Sequence, residues 1–399
     1  MSSPRRHTAA AAVVLAGSLL LAACSSGSGN SSATTTTTGS SSATSTSTTA
    51  GHGVLNGIPA AIHHVFLIVL ENRSYDETWG TSPGAPYLAT TLRAEGNLLT
   101  QYFATSHVSL GNYISMVSGQ PANPVTQADC VSDYENVTPA TVVNGIATGV
   151  GCVYPPAVGT IAGQLQTAGL TWKGYMESMA QPCQHPVLGQ PDQNVVASAT
   201  SLYATRHNPF VYFSALTGSS ACTTGDVPLT QLAGDLATVA STPNYSFITP
   251  NLCDDGHDAT CAAGGPAGYA GINAFLQTWV PKILGSAAYK KDGLLLITFD
   301  EAEALGAQQD DTACCHEPPS ISAGGTQTGM AGGGGPGGGR VGLLALSPFI
   351  APGSTTATPY NHFSMLRSIE DIFGLPHLGE AAAPGLASFG ADVFTKPAG

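Results

Sequence analysis

The amino-acid sequence predicts an α/β domain with a mainly parallel central sheet. Four unbroken apolar runs have the length and composition of strands that are buried on both faces of a sheet. These runs span residues 65–70, 245–248, 294–299 and 341–346. Segments with a helical pattern separate them, at residues 159–168, 270–284 and 364–373. Alternation of strands and helices is typical of a parallel sheet covered by helices.

The composition of the chain excludes two classes of protein. Of its 399 residues, 43% are hydrophobic and only 9% are charged, and the formal net charge is −13. The hydrophobic fraction excludes a wholly disordered chain, because it is sufficient to form a core. The acidic balance argues against a nucleic-acid partner, since phosphate backbones are bound by clustered Lys and Arg side chains.

The N-terminus has the pattern of an export signal. Arg5 and Arg6 precede an apolar run at residues 8–23, which is short for a membrane span. The run leads directly into Cys24, and its end resembles the lipobox of bacterial lipoproteins. We therefore predict a lipoprotein signal peptide at residues 1–23 and lipidation of Cys24. An ordinary secretory signal is the alternative.

A tether and a folded domain follow the signal. Residues 24–53 consist mostly of Ser, Thr, Gly and Ala, a composition that cannot bury a core and that predicts a flexible linker. The folded domain is predicted at residues 54–399. We expect the domain to be exported, either held at the cell surface by the lipid or secreted.

The cysteines of the domain predict disulfides. Eight cysteines remain besides Cys24, and an even number is typical of an exported, disulfide-bonded protein. Proximity in sequence favours three pairs: Cys130–Cys152, Cys183–Cys222 and Cys253–Cys261. Cys314 and Cys315 are adjacent, and either a bond between them or pairing elsewhere is open. A zinc site is the alternative for some cysteines, but no Cys-x-x-Cys spacing supports it.

Acidic and amide side chains follow three of the predicted strands. Glu71-Asn72 follows the first strand, Asp300-Glu301 follows the strand at 294–299, and acids with a histidine follow the strand at 245–248. Parallel strands bring their carboxyl ends to one edge of the sheet, where ligands bind. Oxygen ligands with imidazole are typical of a divalent-metal site, so we predict one at this edge. Helix capping and pairing with a nearby arginine are the alternative roles.

Ser109 is a candidate nucleophile between two of these clusters. The residues after it predict a short helix that ends at Gly119, with Ser109 at the helix N-terminus. Free N–H groups at such a position favour an anion. A serine there can cap the helix, or it can attack a phosphoryl group if a metal activates its hydroxyl.

Seven segments together resemble the bacterial phosphoesterase family. Glu71 to Asp76 is similar to its ENRSFD opening, and His107 to Tyr113 is similar to the HPSLPNY pattern of its acid-phosphatase branch. Five further segments match in order: 171–175, 206–210, 254–258, 298–301 and 360–364. The resemblance implies an alkaline-phosphatase-like three-layer α/β sandwich with a mainly parallel central sheet. Val108 and Gly111 replace the two prolines of the family pattern, so we expect this loop to be less rigid than the pattern implies.

The resemblance also implies roles for individual residues. Glu71, Asn72, Asp300 and Glu301 match the metal ligands of the family, for a divalent ion whose identity the sequence does not give. Ser109 matches the nucleophile that forms a phosphoseryl intermediate. His207 and His257 match positions around the phosphate and are implied to be catalytic groups. Four further residues of the matched motifs are implied to contact the substrate: Asn112, His107, Asp258 and His362.

The residue roles predict an acid phosphatase that hydrolyses phosphate monoesters. The N-terminal signal and Cys24 predict that this enzyme is exported and anchored at the surface. Phosphorylated small molecules and lipid headgroups such as phosphoinositides are the candidate substrates, and the predicted membrane association is through the N-terminal lipid. A phospholipase C-type phosphodiesterase is the second hypothesis, although phospholipase relatives are usually longer and favour Thr as nucleophile. A non-catalytic surface-binding protein is the third. The glycine-rich segment 332–339 lacks the Lys-Ser or Lys-Thr of a nucleotide-binding loop.

Overall fold

The computed structural model describes residues 57–315, 317 and 337–396, and an eight-stranded sheet forms the centre of this part of the chain. Its strands, with those of two small two-stranded sheets, are β1 His64–Leu70, β2 Asn97–Leu99, β3 Tyr102–Phe103, β4 Val142–Val143, β5 Ile146–Ala147, β6 Trp172–Met176, β7 Asp226–Pro228, β8 Tyr245–Thr249, β9 Gly293–Phe299, β10 Leu343–Leu346, β11 Ser354–Thr356 and β12 Tyr360–Asn361.

The strand order of the large sheet is β11-β2-β10-β9-β1-β8-β6-β7. Strand β10 runs antiparallel to both of its neighbours, and every other pairing in this sheet is parallel. Every residue of β1, β8, β9 and β10 is buried, so both faces of the sheet are covered at its centre. The prediction of a mainly parallel sheet is confirmed.

Helices form the outer layers of the sandwich. Their bounds are α1 Tyr75–Trp79, α2 Ser109–Ser118, α3 Ile161–Thr167, α4 Ser214–Thr217, α5 Ser220–Gly225, α6 Leu232–Asp235, α7 Gly268–Gly285, α8 Ala287–Asp292 and α9 His362–Phe373. Helices α2, α3 and α9 pack on one another, while α7 packs on α8 and α8 packs on β1 and β9. The predicted α/β sandwich is therefore present.

The predicted elements agree with the structure to within two residues at most ends. The four predicted strands are β1, β8, β9 and β10, and the predicted helices are α3, α7 and α9. Helix α2 begins at Ser109 and ends before Gly119, which takes the left-handed conformation at φ 66°. Glycine is favoured there because it carries no Cβ. The short strands at the edges of the sheet were not predicted.

All three predicted disulfides are present, and Cys314 and Cys315 bond to each other. No helix in the part of the chain that the structure describes is long and apolar enough to cross a membrane. The predicted signal peptide at residues 1–23, the lipidation site at Cys24, the tether and residues 332–336 of the glycine-rich segment lie outside the described residues.

Candidate active site

Three strands deliver their polar clusters to one edge of the sheet. Strand β1 lies between β8 and β9, and all three run in the same direction. The residues that follow them are bonded through the backbone: the Asp300 N–H donates to the Leu70 carbonyl across 2.8 Å, and the Glu71 N–H donates to the Asp255 carbonyl across 2.9 Å. The predicted convergence of these clusters at one edge is confirmed.

Helix α2 places Ser109 against the acid that follows β1. The Ser109 Oγ donates a hydrogen bond to Glu71 Oε2 across 2.9 Å, and both side chains are buried. The other carboxylate oxygen of Glu71 accepts a hydrogen bond from Tyr113, one turn further along α2. Both groups that approach Glu71 therefore come from the same face of one helix, which fixes Ser109 relative to the sheet.

The carboxyl groups at this edge are crowded and dry. Burial, followed by the charges of Asp300 and Asp255, raises the pKa of Glu71 well above its ordinary value. Burial and the charge of Glu301 raise the pKa of Asp300 to about 8, and burial raises the pKa of Asp255. Three buried carboxyl groups within electrostatic reach of one another favour either protonation or a cation.

Glu301 is occupied by protein donors. Its oxygens accept hydrogen bonds from Asn72 Nδ2 at 3.0 Å, from the Val108 N–H at 3.3 Å and from His107. The second ring nitrogen of His107 lies 3.0 Å from Asp311 Oδ1. Burial lowers the pKa of His107, but the hydrogen bond and charge of Glu301 and the charge of Asp311 outweigh it and raise the pKa to about 9. The raised pKa favours an imidazolium between the carboxylates of Glu301 and Asp311, and the contact of His107 to substrate stays a prediction.

His207 lies inside the carboxyl cluster. Its Nε2 is 3.4 Å from Glu71 Oε2 and its Nδ1 is 3.3 Å from Asp255 Oδ2. The ring stacks on Tyr113, with centroids 5.4 Å apart. Burial, the charge of Arg206 and that of His257 lower the pKa of His207 well below its ordinary value. A neutral imidazole is compatible with its neighbours because their own pKa values are raised.

His257 is the accessible histidine of the site, with 37% of its side chain exposed. Its Nδ1 lies 2.8 Å from Asp258 Oδ1, and its Nε2 lies 3.3 Å from Arg206 Nη2. Burial and the charge of Arg206 lower the pKa of His257. Asp258 thus orients the ring of His257, and the contact of Asp258 to substrate stays a prediction.

Asn112 holds the loop that precedes the nucleophile. Its Oδ1 accepts from the N–H groups of Thr105 and Ser106 at 3.0 and 3.1 Å, and its Nδ2 donates to the carbonyls of Ser106 and Val108 at 2.7 and 3.4 Å. These bonds occupy both ends of the amide. In this structure Asn112 therefore positions the loop before Ser109, and its hydrogen bond to a phosphoryl oxygen stays a prediction.

His362 is also enclosed by protein groups. Its Nε2 lies 2.6 Å from the backbone carbonyl of Asp300 and its Nδ1 lies 2.9 Å from the Tyr102 hydroxyl. The side chain is fully buried, and burial lowers its pKa to about 4. Both ring nitrogens have partners, so in this structure His362 supports the backbone at Asp300, and its contact to substrate stays a prediction.

One protein family matches most of the chain. The profile of the phosphoesterase family matches residues 83–376, about three quarters of the chain. The chain belongs to the phosphoesterase family. The matched segment contains Ser109, Asp300 and all four candidate histidines, whereas Glu71 and Asn72 lie before it.

Two curated relatives of this phosphoesterase carry informative names. A probable acid phosphatase of Kluyveromyces lactis is 26% identical over 322 residues, which cover 80% of this chain and 60% of that protein. A phosphatidylinositol-3-phosphatase of Mycobacterium tuberculosis is 26% identical over 318 residues, which cover 80% of this chain and 79% of that protein. The chain thus spans less than two thirds of the fungal relative. The chain is also similar to the solved structure of a Vibrio parahaemolyticus protein in the alkaline phosphatase superfamily, with a TM-score of 0.46 and 11% identity. The aligned part covers 79% of this chain and 67% of the Vibrio protein.

The oxygen donors of the phosphoesterase site fit a hard divalent cation. Asn72 Oδ1 and Asp300 Oδ2 are buried and have no hydrogen-bond partner among the described residues. Carboxylate, amide and hydroxyl oxygens are the ligands of such cations. In the described ranges no three His, Cys, Asp or Glu side chains form a cluster that could hold an ion by themselves. The fit therefore depends on the Asn72 amide as well as on the carboxyl groups of Glu71 and Asp300.

Sequence reasoning missed three residues of the site: Tyr113, Arg206 and Asp255. Tyr113 ends one of the matched motifs, and Arg206 and Asp255 lie inside two others. The motifs therefore indicated these segments, but they did not indicate that these three residues contribute to the site. Each contacts groups that are distant in sequence, as Tyr113 does with Glu71. Glu301 is the predicted metal ligand that fits least well, because protein donors already occupy its oxygens.

Proposed function

We propose that the chain is a phosphoric monoester hydrolase of the acid phosphatase type with Ser109 as its nucleophile. The observation that carries the proposal is the position of Ser109 Oγ, at the start of α2 and 2.9 Å from Glu71 Oε2 in the buried carboxyl cluster. The names of the acid phosphatase relatives support the same reaction class. The alternatives are a phosphodiesterase and a protein that binds without turnover.

In the proposed reaction, Ser109 Oγ forms a bond to phosphorus while the bond from phosphorus to the leaving oxygen breaks. The hydroxyl proton leaves toward the carboxyl cluster, where Glu71 already accepts its hydrogen bond. Attack produces a phosphoseryl enzyme and a free alcohol. Water then attacks the phosphorus, which restores the Ser109 hydroxyl and releases inorganic phosphate.

Glu71, Asn72 and Asp300 are the side chains that would hold a divalent cation in this proposal. When bound, the cation would offset the charge of the carboxylates and stabilise both the serine alkoxide and the phosphoryl oxygens. Glu301 instead keeps Asn72 in place: it accepts from Asn72 Nδ2, so the Asn72 Oδ1 remains available.

His257 is the proposed general acid for the leaving oxygen. It is partly exposed, and Asp258 orients its ring through Nδ1, so Nε2 is the nitrogen available to a bound ester. His207 is fully enclosed between Glu71 and Asp255, so its ring has no open face toward a leaving oxygen. We assign His207 to holding the arrangement of Glu71 and Asp255.

Export and the physiological substrate complete the proposal. Four disulfides are typical of a protein that folds in an oxidising compartment, which supports the predicted export signal. The predicted lipid at Cys24 would hold the enzyme at a membrane surface. A phosphorylated lipid headgroup is a candidate substrate, because the relative from Mycobacterium tuberculosis is named a phosphatidylinositol-3-phosphatase.

The decisive experiment measures hydrolysis of p-nitrophenyl phosphate and of its bis-ester by the purified protein, across pH and with a divalent cation or a chelator. Release of nitrophenol from the monoester, but not the diester, supports the proposal. Preferential diester cleavage would favour the phosphodiesterase, and turnover of neither substrate would favour the binding protein. Vesicles that contain phosphatidylinositol 3-phosphate, compared with the soluble headgroup, test the lipid substrate.

A further inference from the structure

A buried arginine that has no role in the reaction described so far lies beside the general acid. Arg206 is only 5% exposed and lies in a single 3₁₀ turn, Thr205–His207. Its Nη1 donates to the Val195 carbonyl across 2.8 Å, and its Nε lies 3.5 Å from Asp129 Oδ2. A buried guanidinium is costly unless charged partners offset it, and Asp129 and, at longer range, Glu71 and Asp255 supply that negative charge here.

Asp129 connects this arginine to the nucleophile helix. One oxygen of Asp129 faces Arg206 Nε, and the other accepts the N–H of Leu110 across 3.0 Å. Leu110 directly follows Ser109, so a single carboxylate sets the position of the guanidinium relative to the first turn of α2. Arg206 also lies within electrostatic reach of Glu71, the hydrogen-bond acceptor of Ser109. The guanidinium of Arg206 is therefore tied through Asp129 to the first turn of α2 and lies within electrostatic reach of the acid that accepts the Ser109 hydrogen bond.

The third side-chain contact of Arg206, to His257, is weaker than the contact that a phosphate would make. Its Nη2 faces the Nε2 of His257 across 3.3 Å, where a neutral imidazole can only offer a lone pair. Guanidinium groups carry five N–H donors in a planar fork that matches two oxygens of a phosphate. An ionic bond of this kind is stronger than a bond to a neutral ring.

We propose that Arg206 binds two non-bridging oxygens of the substrate phosphoryl group and thereby selects dianionic phosphate monoesters. This inference rests on the proposed function. Binding draws Arg206 Nη2 away from His257, which leaves the His257 Nε2 facing the leaving oxygen. Asp129 remains in contact with Arg206 Nε and keeps the fork directed toward the phosphate above Ser109. A diester also offers two non-bridging oxygens but carries a single negative charge, so the guanidinium of Arg206 stabilises its binding less than that of a dianionic monoester.

The test measures binding of inorganic phosphate separately from turnover. Isothermal titration with phosphate and inhibition of p-nitrophenyl phosphate hydrolysis are compared for the wild type, Arg206→Lys and Arg367→Lys. Arg367 lies on α9, donates to the Ala381 carbonyl and is the matched control. Arg206→Lys keeps the charge but loses the fork, so phosphate binding should weaken about 10- to 100-fold, with KM for the monoester rising more than kcat falls. Arg367→Lys should change neither value.

The double variant Asp129→Asn/Arg206→Gln removes the ion pair as a whole and covers the case in which Arg206→Lys does not fold. It should show the same loss of phosphate binding with a native circular-dichroism spectrum. Phosphate affinity within twofold of the wild type in either folded variant overturns the inference. If Ser109→Ala turns over normally while Arg206→Lys loses phosphate binding, the proposed nucleophile is wrong and the role of Arg206 stands.

Discussion

The hydroxyl of Ser109 donates a hydrogen bond to the buried carboxyl group of Glu71 across 2.9 Å. This bond joins the first residue of α2 to the residue that follows the central strand β1. Tyr113 makes a second bond from the same helix to the same carboxyl group. The relationship places the hydroxyl of the proposed nucleophile at the carboxyl edge of the sheet, and the first prediction tests that role directly.

Replacement of Ser109 by alanine should lower kcat for p-nitrophenyl phosphate by at least about 10⁴-fold, because the group that attacks phosphorus is lost. Ser118→Ala is the matched control: Ser118 lies on the same helix, and its hydroxyl bonds to the Ile114 carbonyl. The control should retain near-normal kcat. Steady-state kinetics, with circular dichroism to confirm folding, would contradict the assignment if Ser109→Ala kept the wild-type rate.

Removal of divalent cations should abolish turnover and lower the thermal midpoint. Without a cation, the crowded carboxyl groups of Glu71 and Asp300 lose the charge that offsets them. A ligand at a hundredfold excess over its Kd stabilises a protein by about 2.7 kcal/mol, so a clear shift of the midpoint is expected when Mg²⁺, Mn²⁺ or Zn²⁺ is restored. Differential scanning calorimetry before and after chelation measures it.

Two variants separate the stabilisation by the cation from its effect on turnover. Ser109→Ala should keep most of the cation-induced stabilisation while remaining inactive. Asp300→Asn, which removes one negative charge from the cluster, should lose most of it. Full activity after exhaustive chelation would show that the reaction does not need the ion.

Val108→Pro should destabilise the protein by about 3 kcal/mol or more and should greatly lower activity. Val108 has φ 67°, a left-handed conformation that is rare for a β-branched residue, and its N–H donates to Glu301. Proline permits neither the angle nor the bond. Glycine adopts this φ angle and keeps the N–H that donates to Glu301. The free energy of unfolding of Val108→Gly should therefore stay within about 1 kcal/mol of the wild type. Chemical denaturation compares the two, and a fully active proline variant would refute the left-handed conformation.

Glu370→Gln should remove a pH dependence of stability. The Glu370 carboxyl is fully buried in α9, where its Oε1 accepts a hydrogen bond from the Leu378 N–H at 3.0 Å. Burial raises its pKa from 4.5 to about 9. Below pH 4.5 both folded and unfolded states are protonated. Between pH 4.5 and 9 only the unfolded state ionises, so the stability contribution present at low pH is lost as pH rises.

Urea denaturation at pH 4, 6 and 8 measures this effect. The Glu370→Gln variant should match the wild type at pH 4 and exceed it by about 1–3 kcal/mol at pH 8, since glutamine has no proton to lose. Glu135→Gln, at an exposed position, is the control and should leave the slope unchanged. Parallel stability curves for wild type and Glu370→Gln would contradict the assignment.

The central strands could be predicted from sequence because burial on both faces leaves a continuous apolar run, as in β1 and β9. The edge strands could not. Strand β11, Ser354–Thr356, has three residues, and its sequence has no strand-like alternation of apolar and polar side chains. It exists because β2 offers a free edge to pair with, which is a property of the folded sheet rather than of the segment.

The site was predictable to the extent that the ends of parallel strands meet at one edge. This rule brings Glu71 and Asp300 together, because each directly follows a strand that the apolar pattern predicts. Partner choice was not predictable: the amide of Asn112 has the same chemistry whether it binds a phosphate or the loop at Ser106, and only the fold decides. Arg206 likewise gained its significance from Asp129, which is 77 positions earlier in the chain.

The bond between Cys314 and Cys315 differs in kind from the other three disulfides. Those three join cysteines that are 22, 39 and 8 positions apart, and each reduces the number of conformations open to the unfolded chain. Adjacent cysteines enclose no chain, so their bond removes almost none of that freedom. Its effect is confined to the local path of the backbone beside Tyr360, whose carbonyl Cys314 contacts. Global stability and local shape are thus assigned to different disulfides in one molecule.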